Sequence, residues 1–400
     1  MTSPTTSPTG SGLSFWLVLL MAFAVGVSVA SNYYAQPLLH SITHDLDISI
    51  DTSGIIITTA QCSYAFGMLL IAPLGDKLER KSLIITLMIL TILGLLISAF
   101  SNSLVWLLIG TAVAGLFSAV AQVLIPFAAT LANPEYRGRM VGILMGGMLL
   151  GILLARTFAG AISTMADWRT VYSVAAGIMC VITLLLCFML PRYKNTVSVN
   201  YWQLLSSIAT LFVQERVLRI RAMLGAIAFA LFSLLWTPLA FLLSNSPYGY
   251  SDFIIGLFGF AGVAGAMGAP IVGRLSDKGK GVLVTTIGLS LLLLSWLPLS
   301  FAATSLLLLI FGIILIDFAV QVTHVSCLNA IYQVRPEARS RMNSGYMVSY
   351  FVGGMLGSVS STYLFSHFGW LAIVAAGSAL AVLGLLIWFY YLKTKDHITS

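Results

Sequence analysis

The chain has 400 residues, of which 59% are hydrophobic and only 8% charged, with a net charge of +7. Soluble domains carry about 25% charged residues, and a soluble protein of this length could not hide so much apolar surface, so the composition points to a polytopic membrane protein. The positive balance would suit a nucleic-acid partner, but the positions of the charges argue for topology instead.

The first 12 residues are Ser/Thr/Pro-rich and uncharged, and a disordered cytoplasmic tail is expected there. The apolar run from Leu13 to about Leu39 is too long for a cleaved signal segment and reads as a retained first span. Five more spans follow in a first half ending at 190: 52–75, 82–101, 104–131, 140–163 and 169–190. A basic connector, 191–219, is expected to carry one short surface helix. The second half, 220–392, holds spans at 221–244, 253–275, 282–301, 304–331, 342–366 and 370–392, before a cytoplasmic tail at 393–400. Twelve spans with the N-terminus inside place every Lys and Arg on the inner side except Arg169, in an outer loop, and Arg156, within a span. This is the positive-inside bias, and a miscounted span would abolish it. Cys62, Cys180, Cys187 and Cys327 all fall in apolar runs and read as small hydrophobes; no metal spacing exists.

Between the second and third spans lies a charged hairpin, Ala72-Pro73-Leu74-Gly75-Asp76-Lys77-Leu78-Glu79-Arg80-Lys81. Roughly two hundred residues later comes a second copy, Gly273-Arg274-Leu275-Ser276-Asp277-Lys278. At the same offset Pro134-Glu135-Tyr136-Arg137-Gly138-Arg139 matches Pro336-Glu337-Ala338-Arg339-Ser340-Arg341, Trp168 matches Trp370, and Pro37 matches Pro238. Two parallel six-helix repeats are one architecture of secondary transporters, with the substrate site between the halves.

The hairpin resembles the signature of the major facilitator superfamily, Gly-x-Leu-x-Asp-Arg/Lys-x-Gly-Arg/Lys-Arg/Lys. Leu74, Asp76, Lys77, Arg80 and Lys81 match it; Ala72 and Glu79 stand where the family prefers Gly. Asn32-Tyr33-Tyr34-Ala35-Gln36-Pro37-Leu38-Leu39 and the 336–341 segment are similar to a bacterial subgroup of arabinose-efflux-like and drug–proton antiporter permeases. The resemblance implies an all-α fold of twelve transmembrane helices in two pseudo-symmetric halves. It further implies a bacterial inner-membrane protein with both termini cytoplasmic, and a cavity lined by the first, fourth, seventh and tenth spans. The antiporter signatures are mostly missing: Thr111 stands where an Arg precedes the Gly equivalent to Gly115, and the fifth span reads Gly151-Ile152-Leu153-Leu154-Ala155-Arg156 rather than Gly-Pro-x-x-Gly-Gly.

Two ionisable residues remain deep in spans, Arg156 and Asp317. A mid-membrane charge costs about 2.5–3.5 kcal/mol or more, so such residues face a cavity or a partner. Asp317 is the expected proton carrier, with His324, at i+7 on the same face, as relay or substrate contact; the structural alternatives are an Asp317 that only neutralises Arg156 or bonds a neighbouring helix, and a His324 that is a polar residue bonded between helices. Arg156 is expected to bind an anionic substrate group or to pair with Asp317 when that is ionised, and the alternative is snorkelling to the outer headgroups. On the first span Ser28, Asn32 and Gln36 share a face, and Ser233, Trp236 and Thr237 lie at the symmetric depth of the seventh. Asn32, Gln36, Gln122, Trp236 and Gln321 are accordingly expected at the substrate cavity beside Arg156, each weighed against a role as helix–helix glue. Tyr33 and Tyr34 are assigned alternatively to an outer aromatic belt. The resemblance makes Asp76, Lys77, Arg80, Arg137 and Arg139, with Asp277, Arg339 and Arg341 in the repeat, a cytoplasmic gate brace; the plainer alternative is a topology signal. The Gly-rich stretches 142–151 and 256–268 suit close helix packing and are not phosphate loops. No nucleotide, nucleic acid or cofactor is expected. The partners are a small-molecule substrate, protons and lipid, and the protein is expected to be a monomer. The function expected is a secondary transporter working by alternating access, exporting a small organic molecule in exchange for protons. An uncoupled facilitator or importer is the alternative, and a transport-dead receptor a lesser one.

Overall fold

A computed structural model describes residues 14–71, 73–193, 201–262, 272, 275, 279–335 and 338–399. Among these every regular element is helical, because a backbone in hydrocarbon must satisfy its own hydrogen bonds. The elements are α1 (Phe15–Ala30), α2 (Ala35–Asp45), α3 (Ile50–Leu70), α4 (Leu74–Lys77), α5 (Arg80–Ala99), α6 (Leu104–Phe117), α7 (Ala121–Leu131), α8 (Arg137–Met165) and α9 (Trp168–Met189). After them come α10 (Tyr201–Gln214), α11 (Arg216–Ser244), α12 (Asp252–Leu257), α13 (Gly281–Leu294), α14 (Trp296–Leu299), α15 (Leu306–Val334), α16 (Arg339–Phe368) and α17 (Trp370–Thr399). Among the described residues nine helices are long and apolar enough to cross a membrane, or ten if α1 and α2 form one bent span. The expected eleventh span is α16, which at 30 residues has the length, but its Ser, Gly and Tyr content lowers its hydropathy. The expected eighth span begins at α12 and continues outside the described residues.

Several boundaries move. The first span runs on to Asp45 and bends by 40° between α1 and α2. Pro37 supplies no backbone N–H in the first turn of α2. Ser31 and Asn32 donate side-chain hydrogen bonds to Ser28 O and Val29 O, at 2.7 and 3.3 Å, where the helix breaks. The connector helix is present as α10. The C-terminal tail is not separate from the last span, since α17 stays helical through Thr399.

The two matched tryptophans play parallel parts. Trp168 opens α9 and donates to Asp45 Oδ2 at 3.3 Å, while Trp370 opens α17 and donates to Leu299 O at 2.7 Å. Arg169, the one basic residue assigned to an outer loop, pairs with Asp45 at 2.6 Å and lies over the Trp168 ring.

Two ends of the bundle are distinct: a basic end, holding α4, α10 and the starts of α8 and α16, and an acidic end with Asp45, Asp47, Asp51 and Asp252. Residues before 190 meet those after 216 chiefly where α3 packs on α16, α8 on α12, and α2 on α11. The hydrogen bonds across these contacts begin at the acidic end. Asp252 Oδ2 accepts from Ser41 at 2.6 Å and from Ser163 at 2.8 Å. Thr362 donates to Asp51 O at 3.1 Å and Ser358 to Gly54 O at 3.3 Å. They run inward as far as Gln61, which donates to Ser233 at 3.1 Å. Within the first half, α1 and α8 touch backbone to backbone: a Cβ added at Gly151 would lie 2.2 Å from Gly26 O, so neither position admits a side chain.

Candidate functional site

The bend after α1, the break between α6 and α7, and the middles of α8, α11, α15 and α16 converge on a cavity of about 220 Å³. Its walls are mostly aromatic and aliphatic: Tyr33, Tyr64, Phe229, Phe232, Tyr350 and Phe351, with Val29, Ile152, Leu153 and Val320. Its polar groups are Gln122, Arg156, Asp317, Gln321 and His324. Arg156, Asp317, Gln122, Gln321 and His324, all predicted from the sequence, thus share one chamber.

Arg156 is 2% exposed and Asp317 8% exposed, so neither snorkels. Arg156 Nε donates to Gln36 Oε1 at 2.8 Å, and its guanidinium lies 3.9 Å from the Trp236 ring centre, with Tyr33 and Phe232 at 5.6 and 5.5 Å. Trp236 donates its indole N–H to Asp317 Oδ1 at 3.0 Å. Of the two structural alternatives for Asp317, the bond to a neighbouring helix is present and a direct pair with Arg156 is not: no ion pair joins them within 4.0 Å among the described residues, and Trp236 of α11 stands between, its face to the cation and its edge to the acid. Both interactions suit an aromatic ring, whose face is negative and whose indole N–H is a donor. Arg156 Nη2 is buried with no hydrogen-bond partner. Glycines make room for both charges: a Cβ at Gly262 would meet Asp317 Oδ2 at 2.8 Å, and one at Gly259 would meet Arg156 Cβ at 3.2 Å.

His324 Nδ1 is 3.0 Å from Tyr346 Oη and its ring lies against Tyr350. Gln122 donates to Tyr64 Oη at 3.5 Å, a weak contact that leaves the amide open to the cavity. Three expected cavity residues sit elsewhere. Asn32 bonds Ser118 Oγ at 2.9 Å and stitches α1 to the 118–120 turn, because a buried amide takes the nearest cross-helix partner. Gln36 and Trp236 line a small adjoining void beside Arg156 rather than the main chamber. Ser28 turns toward Met179. The tyrosines leave the aromatic belt: Tyr33 lines the cavity, and Tyr34, 3% exposed, packs on Phe158 and Tyr172. Sequence reasoning missed Tyr64, Phe232, Tyr350 and Gly262, because aromatic and small residues in an apolar helix carry no mark of which face they occupy.

At the basic end Arg80 is buried. It donates to Gly75 O at 3.0 Å and to Thr130 Oγ1 at 2.9 Å, and lies over Phe127 and Tyr193, tying the hairpin to α7. Lys77, Arg137 and Arg139 are exposed. Arg339 is exposed and donates to Tyr332 O at 3.1 Å, and Arg341 is half-buried. The Asp76 side chain and all of Asp277 lie outside the described residues, and with them the acidic partners of the expected brace.

Bent and broken helices around a buried, charged chamber define a multi-pass membrane transporter. The family model of the Major Facilitator Superfamily matches residues 21–334 and 280–399, and the chain belongs to that family. It is 49% identical over 377 residues, 94% of this chain and 96% of the relative, to the putative uncharacterized transporter YgaY of Escherichia coli K12. It is 24% identical, over 95% and 96% of the two chains, to a probable sugar efflux transporter of Helicobacter pylori. The fold is similar, at a TM-score of 0.76 and 14% identity over 95% and 97% of the chains, to a bacterial homolog of the human lysosomal transporter Spinster in an inward-facing, occupied conformation.

Proposed function

We propose that the protein is a secondary transporter of the bacterial inner membrane that expels a small organic molecule in exchange for protons by alternating access. The observation that carries this is Asp317: a buried carboxyl facing a chamber to which both halves contribute. Moving a proton through the centre of a membrane protein needs a group there that takes it up and gives it back, and such an intramembrane acid is functional by default. His324, on the same wall, is the companion for relay or substrate contact. The basic end is assigned to the cytoplasm by the positive-inside rule. Hydrogen bonds that close the acidic end and stop near Gln61 then correspond to a state open toward the cytoplasm, as in the Spinster homolog. Two halves related by the sequence repeat, 13–190 and 220–392, would rock about the chamber, with Asp76 and Asp277 bracing the cytoplasmic side in the opposite state. Efflux is the direction implied by the subgroup resemblance and by the name of the Helicobacter relative.

The test is a substrate screen in proteoliposomes under an imposed pH gradient, repeated with Asp317→Asn and His324→Gln. Asp317→Asn is expected to abolish gradient-driven flux while downhill substrate exchange persists. If Asp317→Asn still moves substrate against its concentration gradient with protons as the sole driving force, Asp317 is not the coupling group. If both variants do so, the uncoupled facilitator takes the place of the antiporter.

A further inference from the structure

The chamber holds one cation and one anion that are not spent on each other. Arg156 contributes Nε to Gln36 and its face to Trp236, yet its Nη2 is buried with no hydrogen-bond partner, and the residue is only 2% exposed. Asp317 receives the Trp236 N–H on Oδ1, and its Oδ2 faces Gly262 at the cavity wall. A buried guanidinium with idle donors is costly until an anion meets them. A carboxylate placed on Arg156 would, however, lie one indole away from Asp317, and two acids that close repel each other where both sites are buried. A cation placed on Asp317 alone would leave Arg156 unmet and face its charge. A ligand that carries both signs a few ångströms apart satisfies each group and offends neither. The rest of the chamber specifies the body of that ligand. Tyr33, Tyr64, Phe229, Phe232 and Tyr350 offer ring faces and edges, and about 220 Å³ admits little more than a single- or double-ring molecule.

We infer that the chamber binds a small aromatic zwitterion of the α-amino-acid type, its carboxylate on Arg156, its ammonium on Asp317 and its ring among the aromatic walls. This rests on the reading of the chamber as the transport site. It also bears on exchange, since an ammonium and a proton are alternative occupants of the same carboxyl. The other titratable or polar groups around that carboxyl are Arg156 and Trp236, with His324 and Tyr350 on the same cavity walls, and the Trp236 N–H holds it whichever occupant is bound.

Binding to the purified full-length protein, measured by intrinsic fluorescence titration without any gradient, tests this with four matched probes. They are phenylalanine (both charges), 3-phenylpropionate (acid only), phenethylamine (amine only) and N-acetylphenylalaninamide (neither). Each charge-assisted hydrogen bond is worth enough to separate the probes by about tenfold or more, so phenylalanine is expected to bind at least that much more tightly than the other three. Asp317→Asn should erase its advantage over phenylpropionate, and Arg156→Gln its advantage over phenethylamine. Gln36→Ala, which leaves the guanidinium in place but frees it to turn, should weaken phenylalanine and phenylpropionate together and spare phenethylamine. That third variant keeps the test open if Arg156→Gln does not fold. Equal or tighter binding of any single-charge probe, or no binding by all four, overturns the inference. Because no gradient is applied, zwitterion binding without proton-driven flux would sink the exchange mechanism alone, while proton-driven flux of another compound by a protein that ignores phenylalanine would sink the ligand class alone.

Discussion

Trp236 shows what a single side chain contributes here. It presents its face to Arg156 and its N–H to Asp317, so Trp236→Phe removes the second contact and keeps most of the first. Loss of a hydrogen bond to a buried acid costs about 1–3 kcal/mol; the expected outcome is a melting temperature lowered by a few degrees and weakened proton coupling with the fold retained. Flux under a pH gradient beside a thermal melt checks it, and unchanged coupling would remove Trp236 from the site. At the basic end Glu79, which stands where the family prefers Gly, has a local explanation. It caps α5, accepting from Lys81 N and Ser82 N at 2.9 Å each, and from Tyr193 N at 3.2 Å. Partial burial pushes its carboxyl up, but the hydrogen bonds from Ser82, Lys81 and Tyr193 outweigh this and hold it down at about 2 against an ordinary 4.5. A lowered folded-state value stabilises above pH 4.5 and is lost as pH falls through about 2. Glu79→Ala should therefore cost about 1 kcal/mol at neutral pH, and its melting curve should converge on that of the unmodified protein as pH approaches 2; a constant gap across that range would count against the cap.

At the scale of elements, the closure of the acidic end depends on α12 meeting α2 and α8. One carboxylate, Asp252, accepts hydroxyls from both, and a Cβ at Gly160 would sit 2.2 Å from Asp252 O, so this approach is close as well as bonded. In the proposed alternating-access cycle these bonds would be lost when the halves part, and they would then bias the equilibrium by their whole worth, about 1.5–3 kcal/mol for hydrogen bonds to a charged group. Asp252→Ala should shift the population toward the form open at the acidic end by about tenfold. Spin-label distances between α2 and α12 would report it, and unchanged distance distributions would show that the contact only decorates the closure. In the sequence Asp252 stands just before the span read at 253–275, among loop residues. Its pairing partners, Ser41 and Ser163, are 211 and 89 residues away along the chain, and nothing in their local pattern marks them.

For the whole molecule, what could be read from the sequence was whatever the bilayer makes costly. Charges cannot lie in hydrocarbon unattended, so Arg156 and Asp317 stood out, and the Lys and Arg distribution marked the two ends. Exposed Leu, Phe and Val are normal facing lipid, so the aromatic walls of the chamber did not stand out. Helix bends depend on which carbonyls find substitutes, as Ser31 and Asn32 provide, and so the 40° turn after α1 was not foreseen. The order of contacts in the site has a mechanical consequence. Gln36 and Arg156 both belong to the first half, whose α1 and α8 are locked at Gly26 and Gly151. Trp236 and Asp317 both belong to the second. The hydrogen bonds in this chain of four thus stay inside one half or the other, and the link that crosses is a guanidinium resting on a flat ring. A hydrogen bond demands a distance and an angle, whereas a cation over a ring tolerates sliding within about 6 Å of its centre. The two halves would therefore meet, at the most highly charged point of the interior, on a plain bearing: a surface that carries load yet lets one body shear past the other without an ionic contact to break at every stroke.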